Sequence, residues 1–254
     1  MVANSNPNYY RDKDDLINEI ESFIKEYQAE FKRHSTKMSS YFEMACYNYI
    51  VQYYKSLKFR LDIQNLERES NVFLYKIGTS GDPDKYSYFS ASKNFWKKKS
   101  IEYRIEIRQN FPVQSKHDEN IYLTPDIVIC RNPANIVRIR RPEYYDNTRL
   151  YSYLPNSSLI SFAESKNYKP FPELIFNYIG IINELKPDYL VRPISSQQPF
   201  HIAPSLMMSM KGNPSAERIK KSLQSRYKIN IFFGLFSRPS QVYSKKARSL
   251  IICL

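Results

Sequence analysis

The spacing of hydrophobic residues along the chain predicts four helices. Residues 12–33 place their large apolar side chains on one helical face, and residues 39–58 predict a second, more deeply buried helix. Residues 171–187 and 213–227 predict two further helices, the latter opened by a proline and an N-cap residue. Residues 62–100 show no clear pattern.

Five strands are expected between and beside these helices. A strict alternation of apolar and charged residues over 101–111 predicts a strand with one face exposed to water. The other strands are expected at 120–131 (interrupted by Pro125), 159–168, 204–211 and 228–236. Three sequential strands followed by alternating helices and strands predict an α/β fold, with a mixed central sheet flanked by helices. Residues 132–158 form a basic insertion without clear secondary structure, which is usual for functional or disordered segments.

The charge of the chain changes this picture by indicating a polyanionic partner. Its 254 residues include 38 Lys and Arg but only 25 Asp and Glu, a formal net charge of +13. Such a balance fits nucleic acid or an acidic membrane surface. The chain has only 5 glycines and no glycine-rich phosphate-binding motif, so any NTPase motor has to come from a partner protein.

Other compositional features exclude several classes of protein. The three cysteines are widely separated and there are only three histidines, so neither a structural zinc site nor a disulfide framework is expected. No apolar stretch approaches the about 20 residues that a membrane-spanning helix needs, and no signal sequence is recognisable. We therefore expect a cytoplasmic protein that does not bind membranes.

The candidate chemistry lies in charged residues within apolar strands. Glu164 and Lys166 are two residues apart, so they point to the same face of their strand. If the strand 120–131 lies beside them, Asp126 is next to Glu164. Two buried acids repel each other and are costly to desolvate, so a cation must balance them. Lys166 is one such cation, and a divalent metal such as Mg²⁺, which prefers oxygen ligands, is another.

Pro125–Asp126 followed by Glu164–Ser165–Lys166 resembles the motif of the PD-(D/E)xK nuclease superfamily, the restriction-endonuclease-like enzymes. The resemblance implies a restriction-endonuclease-like core over residues 39–236. Residues 1–38 would then be an N-terminal helical extension and residues 237–254 a C-terminal tail.

The motif gains its specificity from its surroundings. Pro-Asp occurs three times in the chain and Glu-x-Lys three times, but only these copies lie on apolar strands in the required order. On an exposed edge strand, the position of Phe162 would be expected to be polar. The separation of Asp126 from Glu164 exceeds the needs of a hairpin because the basic insertion lies between them.

The resemblance also implies a metal site and its roles. Asp126, Glu164 and Lys166 would be catalytic, and Mg²⁺, for which Mn²⁺ can substitute, would be held by Asp126, Glu164 and the backbone carbonyl of Ser165. Glu43 is a further candidate ligand, since it is an acid within a strongly apolar helix. An alternative interpretation is that Glu43 is an acid in the first helical turn, where the helix dipole favours it.

These expectations lead to one main function and two alternatives. The main hypothesis is a metal-dependent nuclease that hydrolyses phosphodiester bonds of DNA, an endonuclease in restriction, anti-phage defence or mobile-element processing. Contact with DNA is assigned to Arg131, Arg138, Arg140 and Arg141. A homodimer would supply two active sites, and a partner protein could supply targeting. The alternatives are a nuclease-fold subunit that binds nucleic acid without cleaving it, and a basic protein that binds an acidic protein.

Overall fold

A computed structural model describes residues 13–26, 30–31, 38–69, 71–78, 81–94, 102–140, 150–191, 200–244 and 251–253. The α-helices of this part are α1 (Lys13–Glu26), α2 (Met38–Ser56), α3 (Pro172–Leu185) and α4 (Pro214–Arg226). Its strands are β1 (Glu30–Phe31), β2 (Arg60–Gln64), β3 (Val72–Phe73), β4 (Tyr88–Asn94), β5 (Glu102–Gln109), β6 (Val113–Gln114), β7 (Tyr122–Leu123), β8 (Ile127–Arg131), β9 (Val137–Arg140), β10 (Leu150–Tyr153), β11 (Leu159–Lys166), β12 (Phe200–Ile202), β13 (Ser205–Met208), β14 (Asn230–Phe232) and β15 (Ile251–Cys253). Short 3₁₀ helices occupy Pro83–Lys85, Asn156–Ser158, Pro187–Leu190 and Pro239–Gln241.

A seven-stranded sheet in the order β14-β13-β11-β8-β5-β4-β2 forms the centre of the protein. Strands β11, β13 and β14 are parallel, whereas β11, β8, β5, β4 and β2 pair in antiparallel fashion. The sheet is therefore mixed, and the predicted α/β class with a mixed central sheet is confirmed.

Alternate side chains of the strands contribute to two separate hydrophobic cores. Within β8, Ile127 and Ile129 join the core that contains α1 and α2, while Val128 and Cys130 join the core that contains α3 and α4. This is the two-residue period expected of a strand that is buried on both faces. Helices thus cover both faces of the sheet, in three layers.

Most predicted elements occur close to their expected bounds. The helices predicted at 39–58, 171–187 and 213–227 are α2, α3 and α4. Pro125 does divide the strand predicted at 120–131, into β7 and β8, because proline has no amide hydrogen for the ladder. The helix predicted at 12–33 is shorter, since α1 ends at Glu26.

Two strands of the central sheet, β2 and β4, lie in or at the start of the stretch that shows no clear pattern. Strand β4 buries Phe89 and Ala91 completely, but Ser90 and Ser92 lie between and beside them. Serine and alanine are not typical strand residues, so the pattern is hard to recognise. Strand β2 is at the edge of the sheet and has no fully buried residue.

The prediction that strand 101–111 has one face in water holds for Arg104 but is wrong for the second half of the strand. Glu106 and Arg108 are only 3% and 6% exposed. Arg108 Nε donates to Glu106 Oε2 over 2.6 Å, and its guanidinium lies 3.8 Å from the centroid of the Tyr88 ring. The amide of Ala134 donates to Glu106 Oε1 over 3.0 Å. The charged residues are buried because they neutralise each other beneath the segment that follows β8.

The basic insertion contains regular structure that the sequence pattern did not predict. Strands β9 and β10 form an antiparallel ladder with Val137 opposite Tyr153 and Arg140 opposite Leu150. Tyr151 and Tyr153 pack against Tyr122 of β7, with ring centroids 5.2 and 4.7 Å away. An aromatic cluster therefore attaches the hairpin to the body of the protein.

The terminal segments take part in the same core as the sheet. The buried residues of α1 and Val242, which follows the sheet, belong to the core of α2. The Phe23 and Phe89 rings are 6.1 Å apart. The domain boundaries at residues 38 and 237 stay predictions. Among the described helices, none has the length and apolar character to cross a membrane.

Candidate functional site

Strands β8 and β11 bring two of the predicted site residues together. The strands are antiparallel neighbours, with Ala163 opposite Ile127. Asp126 immediately precedes Ile127 and Glu164 immediately follows Ala163, so both acids lie at the same end of the sheet. The predicted pairing of the strand 120–131 with the strand 159–168 is confirmed.

Lys166 and Ser165 orient these acids. Lys166 Nζ donates to Glu164 Oε2 over 2.8 Å and to Asp126 Oδ2 over 3.3 Å. Ser165 donates to the same Asp126 oxygen from its amide, over 2.7 Å, and from Oγ, over 3.0 Å. The Glu164 and Asp126 side chains are 8% and 16% exposed, and that of Lys166 is 35% exposed. The Lys166 side chain is thus the most exposed of these three.

Helix α2 contributes Glu43 to the same cluster. Asn110 Nδ2 donates to Glu43 Oε1, and the Asn110 amide donates to the Asp126 carbonyl over 2.9 Å. Asn110 directly follows β5 with φ +45°, a left-handed conformation that asparagine adopts more readily than most residues. The first turn of α2 contains no acid, so the helix-dipole interpretation of Glu43 is wrong.

Burial and mutual repulsion shift the proton affinities of the cluster. Burial raises the pKa of Glu43 to about 7 and that of Glu164 to about 7, and in both the charge of Asp126 adds to the shift. Burial by itself would lower the pKa of Lys166, but the Glu164 and Asp126 carboxylates outweigh it and raise that pKa. Near neutral pH the cluster therefore holds a charged lysine beside two carboxyls that can exchange protons.

Lys76 belongs to this region but was not identified from the sequence. It is 3% exposed, and its Nζ donates to the Gly78 carbonyl over 2.6 Å and to the Asn110 carbonyl over 2.7 Å. Burial lowers the pKa of Lys76 to about 8, although the charge of Glu43 opposes the shift. No local sequence pattern indicates that Lys76 is buried in this region, because it follows β3 in a segment without regular structure.

The donor atoms of the cluster are suited to a divalent cation. Within the described part of the chain, one oxygen of each carboxylate accepts no hydrogen bond, namely Glu43 Oε2, Asp126 Oδ1 and Glu164 Oε1. Mg²⁺ is commonly held by one or two carboxylates together with water and substrate phosphate. The described residues contain no group of three or more His, Cys, Asp or Glu side chains that could hold a metal ion. The ligand roles of Asp126, Glu164, Glu43 and the Ser165 carbonyl therefore stay predictions.

Arg131 lies away from this cluster. It ends β8, whereas Asp126 precedes the same strand. Five residue steps of about 3.3 Å put the two Cα atoms roughly 17 Å apart. Although Arg131 and Asp126 are close in sequence, they lie at opposite ends of the sheet. Arg131 lines a cavity at its own end.

Two of the other predicted nucleic-acid contacts, Arg138 and Arg140, belong to β9. Arg138 forms ion pairs with Asp84 and, over 4.0 Å, with Asp82. Arg140 is exposed at the end of β9. Arg141 lies outside the described residues. Arg138 is therefore engaged within the protein, and Arg140 is the better placed of the two for an external phosphate.

Comparison with family models, curated proteins and solved structures found no match to this chain. The resemblance to the nuclease superfamily consequently depends on this chain's own residues, Asp126, Glu164 and Lys166, and on the strands that carry them.

Proposed function

We propose that this protein is a metal-dependent nuclease that hydrolyses phosphodiester bonds of DNA. The observation that carries the proposal is the convergence of Asp126, Glu164 and Lys166, with Lys166 Nζ bonded to both acids. A helix-borne acid, Glu43, joins them through Asn110. Carboxylates that surround one lysine at the end of adjacent strands are a chemically suitable set for phosphoryl hydrolysis.

The protein side chains would have separate tasks in this reaction. The chemistry that a divalent cation supplies when bound is polarisation of the phosphate and activation of water. Asp126 is oriented for binding by two hydrogen bonds from Ser165. Lys166 keeps its proton because Glu164 and Asp126 raise its pKa, so its ammonium can stabilise charge on the attacked phosphate. In the metal-free protein the pKa of Glu164 is raised to about 7 by burial, so a divalent cation would compete with a proton for this carboxylate near neutral pH.

Substrate attraction would come from the charge of the whole chain. A formal net charge of +13 raises the local concentration of a polyanion around the protein. Phosphate contacts of this kind give affinity that falls steeply with salt and carries no base information. Arg140 and the two arginines beyond the described residues of the insertion, Arg141 and Arg149, are candidates for such contacts.

The test is cleavage of supercoiled plasmid and of labelled single- and double-stranded DNA, with Mg²⁺, with Mn²⁺ and with EDTA. We expect Asp126→Asn and Lys166→Met each to lose cleavage by about 10³-fold, since Asp126 would hold the metal ion and Lys166 would stabilise charge on the attacked phosphate. The matched control is Glu173→Gln, which neutralises an exposed acid in the first turn of α3. Cleavage that survives in both site variants, or that persists in EDTA, would overturn the proposal.

One observation favours a second candidate, a nucleic-acid-binding protein without cleavage activity. Lys166 pairs with both Asp126 and Glu164, so it already compensates part of the negative charge that would attract a metal ion. If the wild-type chain binds DNA with a steep salt dependence but cleaves no substrate with either metal, this second candidate replaces the first.

A further inference from the structure

A second concave region lies at the end of the sheet opposite the acids. It is a cavity of about 620 Å³ between the start of β5, the end of β8, the start of β11 and the C-terminal end of α3. Glu164 is near the end of β11, whereas the cavity is lined by Leu159 and Ile160 at its beginning. The cavity is therefore separate from the acidic cluster.

Three cationic side chains converge on this cavity. The side chains of Lys116, Arg131 and Lys186 all line it, and none forms a hydrogen bond or ion pair with a described residue. Burial lowers the pKa of Lys186 to about 8, and the positive charges of Lys116 and Arg131 lower it further, against the opposing effect of Asp188. Lys116 and Arg131 are exposed and Lys186 is partly buried, so three positive charges share one concave surface with only Asp188 acting against them, an arrangement that an anion would relieve.

The acids of the cavity do not remove this excess. Glu102 is committed to Arg104, whose Nε donates to it over 2.9 Å. Asp188 is exposed and forms no ion pair among the described residues, so it compensates the lysine only through space. The remaining lining charge is positive, which indicates an anionic ligand.

The apolar part of the lining indicates that the ligand is larger than a single phosphate. Leu159, Ile160 and the ring of Tyr103 form part of the wall. Tyr103 Oη lies 3.0 Å from His201 Nε2, and His201 Nδ1 lies 3.0 Å from Tyr54 Oη. This chain of hydrogen bonds fixes the position of the Tyr103 ring. Cavities of roughly 300–1,000 Å³ with a few convergent polar groups are typical of small-molecule sites.

We propose that this cavity binds a nucleoside phosphate, with Lys116, Arg131 and Lys186 contacting the phosphates and Tyr103 contacting the base. A mononucleotide matches the two kinds of lining, since it joins an anionic end to an aromatic ring. The phosphates of duplex DNA are the other source of the same anionic group. The concave shape favours the small ligand, because a duplex backbone is a convex surface.

The test is isothermal titration of the full-length chain with ATP, AMP and inorganic phosphate in EDTA, so that the acidic cluster and its metal take no part. We expect AMP and ATP to bind and inorganic phosphate to bind more weakly. The double variant Arg131→Gln, Lys186→Met should weaken nucleotide binding at least about tenfold. The matched control Arg218→Gln, Lys221→Met removes the same two kinds of charge from exposed positions of α4, and should bind as wild type does.

Three results would overturn the proposal. They are absence of AMP and ATP binding up to about millimolar concentration, equal weakening in the double variant and its control, and displacement of bound AMP by a short DNA duplex as readily as by ATP. Circular dichroism of each variant shows whether it is folded. Because the titration is metal-free, loss of nuclease activity at the acidic cluster does not affect its outcome.

Discussion

Strands β8 and β11 have acidic residues at one end and basic residues at the other. The two ends also differ in whether a counter-charge is bonded to these residues. At the end of Asp126 and Glu164, an internal ammonium group from Lys166 bonds to both acids. At the other end, Arg131 and Lys186 repel each other, and Asp188 compensates Lys186 only through space. The acidic end therefore has an internal cation bonded to its acids, whereas the cations of the other end have no anion bonded to them within the described chain.

The difference shows why buried charge must be interpreted together with its partners. A buried pair is costly to assemble but still more costly to break, because the remaining charge is left desolvated. Lys186 is partly buried and is compensated by Asp188 only through space, so it already incurs part of that cost in the folded state. Removing a lysine should therefore have opposite effects on stability at the two ends.

The largest effect is expected at the acidic end. Lys166→Met should lower the free energy of unfolding by about 2 kcal/mol, because Asp126 and Glu164 then repel each other without a counter-ion. This is less than for a fully buried pair, since 35% of the Lys166 side chain is exposed. Urea unfolding at neutral pH measures it, with Lys169→Met, an exposed lysine in the following loop, as control. Equal stability of the two variants would contradict the neutralising role of Lys166.

The contribution of the acidic end to stability should depend on pH. The pKa values of Glu43 and Glu164 rise from 4.5 to about 7 on folding, so the folded chain binds more protons between these values. Their contribution to stability is therefore fully present below pH 4.5 and is lost as pH rises through 7.

A divalent cation should offset this loss, because it takes the place of the protons. We expect Mg²⁺ or Mn²⁺ to raise the melting temperature by about 3–5 °C near pH 8 and by much less near pH 5.5. The variant Glu43→Gln, Glu164→Gln should abolish the metal-dependent shift. A shift that is the same at both pH values, or that persists in this variant, would place the metal elsewhere.

The smallest effect is expected at the cationic end and has the opposite sign. The pKa of Lys186 falls from 10.5 to about 8 on folding, so its penalty is fully present below pH 8 and diminishes as pH rises to 10.5. Lys186→Met should therefore raise the free energy of unfolding at neutral pH by about 1 kcal/mol. Urea unfolding near pH 7 and near pH 10 measures it, with Lys221→Met as control. Destabilisation at neutral pH would show that Lys186 has a favourable partner.

The acidic end was predictable because its residues break a local pattern. Glu164 and Lys166 interrupt an apolar strand, and the two-residue period places them on one face. Asp126 follows from the assumption that neighbouring strands pair, which the register confirms. Lys76 and Asn110 break no pattern, because they lie just outside strands where polar residues are ordinary.

The burial of Glu106 and Arg108 could not be predicted from the same kind of pattern. Alternating charges on a strand usually face water, but here the two charges neutralise each other and a later segment covers them. Whether a polar face is solvated depends on what packs against it, and that segment is distant from β5 in sequence. Arg138 is similar, since its partner Asp84 is far from it along the chain.

The sequence alone determined the order of the helices and of five of the seven central strands, the α/β class and the acidic motif, because each depends on the spacing of residues within one segment or between two adjacent strands. Only the tertiary structure showed that Glu43 and Lys76 lie beside that motif and that Lys116, Arg131 and Lys186 line one cavity. Electrostatic energy depends on distance through space and on desolvation, and neither quantity is encoded in the separation of residues along the chain.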